Sequence, residues 1–89
     1  MSRVAGAVGT VRIRFFARYA ELAGCSSSAV NVETPATVAD VIARVREVFP
    51  GTRELPPRPL AALNQRQVKL ETTVEDGDEV ALLPPLAGG

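Results

Sequence analysis

The last six residues of the sequence, Pro84-Pro85-Leu86-Ala87-Gly88-Gly89, form the segment best suited to chemistry. The two prolines have no N–H to donate, so they end the apolar run before them and hold the chain extended. The two final glycines carry no side chain that would block entry into a narrow channel. Because six extended residues span roughly 20 Å, residues 84–89 are predicted to be an extended tail that presents the α-carboxylate of Gly89. The competing interpretation is a frayed terminus without a role.

Composition excludes several kinds of function. Ten basic and ten acidic residues balance, which argues against nucleic acid or an anionic membrane as a partner. The sequence has no histidine and a single cysteine, Cys25, so zinc hydrolysis, Ser-His-Asp catalysis and an intrachain disulfide are excluded. We expect no metal and no cofactor bound by this chain. Without a signal peptide or an apolar run of membrane-spanning length, a cytoplasmic location is the default expectation.

The first half of the chain predicts two strands and two helices. Residues 11–15 alternate between apolar and polar types, as a half-buried strand does, and residues 29–33 form a second strand. Between them, residues 17–23 form a short helix that ends at a glycine. Thr37 is a predicted N-cap with Asp40 three residues on. The helix that follows has one apolar stripe, made of Val38, Val41, Ile42, Val45, Val48 and Phe49.

The second half predicts a proline-rich surface loop and three short strands. The loop covers residues 50–59, and strands are expected at 60–63, 68–70 and 79–83. The segment before the last strand is an acidic turn, in which Gly77 supplies a positive φ. This turn is interpreted as solvated; the alternative is an acidic rim near the tail that steers a basic partner.

These elements predict one α+β domain over residues 11–83. The last strand is the most apolar, so it should be central in a mixed sheet of about five strands, with the first strand as its parallel neighbour. The main helix should cover one face of that sheet. Residues 1–10 are expected to be a flexible N-terminal extension.

The order of the predicted elements is that of the β-grasp, or ubiquitin-like, fold. Three stretches also resemble the small-subunit family of molybdopterin synthases. They are RFFAR at 14–18 with ELAG at 21–24, ALNQ at 62–65 with DGDEVA at 76–81, and LPPLAGG at 83–89. Each motif alone is common, whereas their order and spacing together are specific. In one respect the sequence departs from the family, because Leu82 and Leu83 stand where aromatic residues are frequent.

The resemblance implies a sulfur carrier that is not catalytic by itself. A ubiquitin-activating-like adenylyltransferase would use ATP to adenylate Gly89, and a sulfurtransferase would supply the sulfur of a C-terminal thiocarboxylate. The large subunit of molybdopterin synthase would take in tail residues Pro84, Pro85, Leu86, Ala87 and Gly88, forming a heterotetramer. The sulfur would then pass to a cyclic pyranopterin in molybdenum cofactor biosynthesis. Phe16 and Leu83 are the expected partner-facing residues beside the tail.

Three alternatives stay open. Sulfur carriers for thiamin, cysteine or tRNA thiolation share the fold and the terminal Gly-Gly, although Pro84-Pro85 and Phe15-Phe16 favour the molybdopterin branch. A ubiquitin-like protein modifier would activate the same terminus and transfer it to lysines. An interaction module with an idle tail is the third alternative.

Overall fold

The structure, a computed structural model, describes residues 7–85, which form seven strands and two α-helices. A 3₁₀ helix, Pro50–Glu54, follows the second α-helix. The elements in chain order are β1 (Ala7–Phe15), α1 (Arg18–Ala23), β2 (Ser27–Thr34), β3 (Ala36–Thr37), α2 (Val38–Val48), β4 (Leu60–Leu63), β5 (Arg66–Val68), β6 (Thr73–Val74) and β7 (Glu79–Leu83).

Five strands form one mixed sheet in the order β2-β1-β7-β4-β5. The last strand, β7, is central: it runs parallel to β1 and antiparallel to β4. This confirms the predicted mixed sheet, the central position of the last strand and its parallel neighbour. Strands β3 and β6 form a separate two-stranded ladder that the apolar pattern did not predict, because two-residue strands are too short to show a period.

Helix α2 lies across one face of the sheet and closes the core. Thr37 and Asp40 form the predicted capping box: the Thr37 N–H donates to Asp40 Oδ2 at 2.8 Å, and the Asp40 N–H donates to Thr37 Oγ1 at 3.2 Å. Such a cap is worth about 1 kcal/mol. Buried residues of α2, β1 and β7 then meet between helix and sheet; they include Val38, Val41, Val45, Val11, Ile13, Val80 and Leu82.

Strand β1 begins at Ala7, four residues before the predicted boundary, so the expected flexible extension over residues 1–10 is wrong for residues 7–10. Backbone contacts with the acidic turn explain the longer strand. The Thr10 N–H donates to Asp76 Oδ1 at 2.7 Å, and the Gly77 N–H donates to the Thr10 carbonyl at 2.8 Å. These long-range bonds have no signature in the local sequence. The remainder of the predicted extension, residues 1–6, lies outside the described residues.

The apolar stripe of α2 is shorter than predicted. Val38, Val41, Ile42 and Val45 are buried, whereas Val48 is 42% exposed. The helix ends at Val48, and Phe49 follows it with an extended backbone, half-buried. Its ring meets Phe15 edge to face, with centroids 5.5 Å apart. The predicted apolar stripe was too long because the apolar spacing continues past Val48, where the helix ends.

The proline-rich segment is partly built into the domain, which corrects its interpretation as a surface loop. Within the 3₁₀ helix, Thr52 is fully buried, and Leu55 just beyond it is also buried. Arg46 of α2 holds this segment by donating to the carbonyl oxygens of Thr52 and Leu55 at 3.2 Å and of Pro56 at 2.7 Å. Apolar periodicity cannot show such bonds, because their acceptors are backbone atoms.

The hairpin between β4 and β5 is also tighter than predicted. Its turn is Asn64–Gln65 alone, both with positive φ (51° and 73°), and not residues 64–67. Strand β5 therefore covers Arg66–Val68 and not 68–70. The Asn64 side chain fixes this turn against β7, because its Oδ1 accepts from the Glu79 N–H at 2.9 Å.

Gly77 has φ of 88°, as predicted for the turn before β7. A Cβ built there would meet no atom within 4 Å, so any cost of substitution comes from the backbone alone. We expect Gly77→Val to lower stability by about 1–3 kcal/mol, because a β-branched residue is strained at positive φ. Thermal melting measures this loss. Gly77→Asn is the matched control, because asparagine tolerates the left-handed region; equal melting temperatures for the Val variant and the native chain would contradict the assignment.

Candidate functional site

The site begins where β7 leaves the sheet. Leu83 ends the strand, Pro84 is half-buried and Pro85 is exposed. The strand is held by β1 on one side and β4 on the other, and Val80 and Leu82 have no exposed surface. The start of the predicted tail is therefore fixed to the most enclosed strand of the domain. The predicted site residues Leu86, Ala87, Gly88 and Gly89 lie outside the described residues.

An apolar patch lies on the face of the sheet opposite α2. Leu83 is paired with Leu60 of β4, and two residues back along β7, on the same face, Ala81 is paired with Ala62. Leu60 is 41% exposed, whereas the two alanines between the larger side chains are buried. Phe16 is 37% exposed and follows Phe15, the residue in register with Leu82. We call this surface the outer patch; it consists of Phe16, Leu60, Ala62, Ala81 and Leu83.

Two of these residues, Phe16 and Leu83, were predicted from the sequence as partner-facing, and each follows the Phe15–Leu82 pair by one residue. Leu60 was missed. The alternation of β4 offered a signal, because a strand with Ala61 in the core places Leu60 on the opposite face. Using that signal also requires the register in which β4 pairs with β7, and the sequence does not give this register.

Two arginines border the outer patch on β1. The guanidinium carbon of Arg14 lies 5.1 Å from the centroid of the Phe16 ring, a cation–π contact worth about 0.5–1 kcal/mol at an exposed site. Arg12 lies two residues away on the same face, in register with Glu79. Within residues 7–85 neither arginine forms an ion pair with N–O distance below 4 Å. These two arginines therefore place positive charge beside the outer patch.

The acidic turn has a structural role at the other end of β7. Asp78 Oδ2 accepts from the Glu75 N–H at 2.8 Å, and Asp78 Oδ1 accepts from Asn64 Nδ2 at 3.0 Å. The turn precedes Glu79 whereas the tail follows Leu83, so about 13 Å of strand separates them. The acidic turn therefore lies at the opposite end of β7 from Pro84, and the Asp78 carboxylate acts as a turn-forming group.

In the part of the chain that the structure describes, the other residues considered for chemistry are not grouped into a site. Cys25 is half-buried and packs against the core just after α1. Among residues 7–85, no three His, Cys, Asp or Glu side chains are grouped as metal ligands. An open groove of about 850 Å³ lies between the edge strand β2 and helix α2, away from the end of β7.

Neither helix within residues 7–85 has the length and apolarity needed to cross a membrane.

Comparison with known proteins points to one family. The model of the ThiS family matches residues 13–89. A molybdopterin synthase sulfur carrier subunit of Chlamydomonas reinhardtii is 31% identical over 81 residues, covering 89% of this chain and 98% of the relative. Small archaeal modifier protein 3 of Haloferax volcanii is 32% identical over 90 residues, with the same coverage of 89% and 98%.

Solved structures share the architecture. The crystal structure of SAMP1 from Haloferax volcanii superposes with a TM-score of 0.80 at 30% identity, covering 91% of this chain and all of that one. Subunits 1 and 2 of the molybdopterin-converting factor of Helicobacter pylori have been solved as a protein–protein complex. A chain of that complex gives a TM-score of 0.60 at 27% identity, over 90% of this chain and 99% of that chain.

Proposed function

Because this chain belongs to the ThiS family, we propose that it is a sulfur carrier whose terminal glycine, Gly89, is converted to a thiocarboxylate. The resemblance to molybdopterin synthase small subunits, first seen in three sequence motifs, is confirmed by relatives about 30% identical over most of the chain. The observation that carries the proposal is where the tail begins. Pro84 and Pro85 follow the central strand and leave the sheet beside an exposed apolar patch.

The proposed chemistry divides the work between this chain and its partners. A carboxylate is a poor electrophile, so an adenylyltransferase must first transfer AMP from ATP to the Gly89 carboxylate, releasing pyrophosphate. A sulfurtransferase then supplies sulfur at the sulfide level, which forms a bond to the acyl carbon as the bond from that carbon to AMP breaks. The chain itself contributes a tail without bulky side chains at its end and a rigid domain that positions it. ATP belongs to the activating enzyme in this proposal, and this chain holds no cofactor.

We propose molybdopterin synthesis as the destination of the sulfur. The Pro84-Pro85 pair before the terminal glycines and the named molybdopterin synthase relatives support this pathway. The solved Helicobacter pylori complex of two subunits supports a large-subunit partner. In this proposal the partner binds the outer patch and takes in residues 84–89, two copies of each chain forming a heterotetramer.

A protein modifier is the second candidate, favoured by the likeness to small archaeal modifier protein 3. It would use the same activated carboxyl and differ in the acceptor, a lysine amine in place of a pterin precursor. The two functions are separated by their products: lysine-linked conjugates of this chain in a cell lysate belong to the modifier alone.

Intact mass spectrometry tests the carrier proposal directly. The purified chain is incubated with the activating enzyme, ATP and a sulfur donor, and the expected product is heavier by the difference between sulfur and oxygen. The same mixture without ATP is the control and should leave the mass unchanged. A chain that stays a carboxylate in the complete mixture would contradict the proposal.

Leu83→Glu should weaken binding of the large subunit by at least tenfold, because it places a charge in the outer patch at the base of the tail. A tenfold change corresponds to about 1.4 kcal/mol. Isothermal titration calorimetry with the purified large subunit measures the loss, and thermal melting shows that the variant is folded. Val48→Glu is the matched control, since Val48 is an exposed apolar residue on α2 and outside the patch. Equal affinities for the two variants would refute the outer patch as the interface.

A further inference from the structure

Arg12 and Arg14 lie on the outer face of the sheet, and no carboxylate among residues 7–85 pairs with them. Both side chains are exposed, two residues apart on β1. Each lacks a carboxylate oxygen within 4 Å in the described part of the chain, whereas Arg18, Arg44 and Arg58 each have one. The whole sequence has equal numbers of basic and acidic residues. The positive charge beside the outer patch is therefore a local feature of this face.

Small side chains surround the two arginines. The Arg12 N–H donates to a carbonyl of the turn before β7 at 2.9 Å, so Arg12 and Arg14 direct their backbone bonds to β7. They therefore form non-hydrogen-bonded pairs with β2, in which cross-strand side chains lie closest. Their partners in these pairs are Ala29 and Ser27, and Arg14 is in register with Ala81 on its other side. An open depression of about 440 Å³ results, lined by both arginines and by Ser26, Ser27 and Ser28.

One carboxylate, that of Glu79, lines the same depression. Glu79 is half-buried and in register with Arg12 on the neighbouring strand. Its N–H donates to the Asn64 side chain at 2.9 Å, and its carboxylate forms no ion pair with an arginine of residues 7–85. Two positive charges thus face one negative charge, and the depression favours an anion.

A partner that docks on the outer patch also covers Arg14. The guanidinium carbon of Arg14 lies 5.1 Å from the centroid of the Phe16 ring, and Phe16 belongs to the outer patch. Covering this ring removes the guanidinium from water. A buried cation without a counter-charge is strongly unfavourable, and within the described residues no carboxylate pairs with Arg14 to offset that cost. The partner therefore has to supply the counter-charge.

We propose that Arg12 and Arg14 form a carboxylate-binding site that selects an acidic partner for the outer patch. The matching protein surface is apolar over Phe16 and Leu83 and places an aspartate or glutamate against β1. A planar guanidinium donates two parallel N–H bonds to such a carboxylate, and the Ser27 hydroxyl beside Arg14 adds a further donor. This site rests on the proposed function, because it needs docking at the outer patch, and it does not involve the tail.

The two arginines should act at different stages of binding. Arg14 contacts the patch and is covered in the complex, so its carboxylate pair should chiefly slow dissociation. Arg12 lies two residues farther from Phe16, at the rim, where a charge mainly speeds association and is screened by salt. A partner with a basic residue in this place is repelled. The arginines thus give the docking surface a specificity that apolar contacts alone do not provide.

Arg14→Met tests the site, because the two possible partner surfaces change the affinity in opposite directions. Methionine keeps a long side chain and removes the charge. If the partner places a carboxylate over Arg14, the variant leaves that carboxylate unpaired, and affinity for the purified large subunit should fall by about tenfold or more. If the partner is apolar there, affinity should rise because no cation is buried, and that result would overturn the proposal. Isothermal titration calorimetry measures both affinities.

Arg53→Met is the matched control, since Arg53 is exposed on the 3₁₀ helix, and it should bind as the native chain does. Added NaCl should weaken binding of the native chain and of Arg53→Met more than binding of Arg14→Met. Arg12→Met should mainly lower the association rate. Equal losses of affinity for Arg14→Met and Arg53→Met would contradict the site. Thermal melting shows that each variant is folded.

A titration of the free chain separates this site from the proposed function. Sodium glutarate, a small dicarboxylate, is added to the isotope-labelled full chain at constant ionic strength, and the arginine Nε–Hε resonances are followed by NMR. We expect those of Arg12 and Arg14 to shift and that of Arg53 to stay. No shift, or equal shifts at all three, would overturn the proposal. Selective shifts in a chain that does not bind the large subunit would support the carboxylate site and contradict the proposed partner.

Discussion

A chain that lacks Gly89 should fold as the native chain does and be inert toward its activating enzyme. The shortened tail ends in the carboxylate of Gly88, which stops about 3.3–3.6 Å short of the native position. Adenylation needs that carboxylate against the α-phosphate of ATP, and a displacement of about 1 Å can cost about 100-fold in rate. ATP–pyrophosphate exchange with the adenylyltransferase should fall to background.

Variants of native length distinguish the effect of tail length from the effect of side-chain size. Gly88→Val retains the length but adds a branched side chain where the channel should be narrow, so exchange should also be lost. Ala87→Gly keeps the length and removes bulk, so it should exchange as the native chain does. Melting temperatures should agree among all three, because terminal residues generally contribute little to the stability of a domain. Native exchange rates from the Gly89 deletion would contradict the carrier proposal.

Gly51→Ala should be the most damaging change of a single small residue within the described fold. A Cβ at Gly51 would overlap the carbonyl oxygen of Leu22, a backbone atom that cannot turn aside. The 3₁₀ helix and α1 would have to separate, and overpacking of this kind costs about 1–3 kcal/mol, occasionally more. At the upper end of that range, the melting temperature of a domain of this size falls by roughly 12–24 °C.

Arg53→Ala provides the matched control for this prediction. Arg53 lies in the same 3₁₀ helix and is exposed, so its truncation should change stability by less than about 0.5 kcal/mol. Chemical denaturation of the two variants gives the comparison. If Gly51→Ala unfolded at the same denaturant concentration as Arg53→Ala, the close approach of the two segments would be refuted.

Gly51 also illustrates where sequence reasoning stops. A Pro-Gly pair such as Pro50-Gly51 indicates the end of a helix, and α2 does end at Val48, but the contact of Gly51 with Leu22 depends on how two distant segments pack. The central position of β7 was predictable, because a strand as apolar as residues 80–83 is expected to have a neighbouring strand along each edge. The start of β1 at Ala7 and the buried Thr52 were not: the strand is held by the Asp76 carboxylate, 66 residues from Thr10, and the Thr52 hydroxyl donates to the Val45 carbonyl, and neither bond is visible in the apolar pattern.

The candidate site likewise contains residues that the sequence predicted and residues that only the structure revealed. Residue types alone indicated the tail, and the sequence also predicted Phe16 and Leu83 as partner-facing residues beside it. Leu60 joined that surface only through the register of β4 with β7. A register shift of one residue moves every side chain of a strand to the opposite face, and short apolar strands do not determine their own register.

The parallel pairing of β7 with β1 also determines how the domain responds to a pull. Tension applied at the C-terminus acts along β7, whereas the hydrogen bonds to β1 and β4 lie across that direction. The ladders are therefore loaded in shear, so their bonds resist together and do not open one after another as in a zipper. A domain with this geometry resists force applied at its C-terminal end, so that end can be pulled into a channel and released again without unfolding β7.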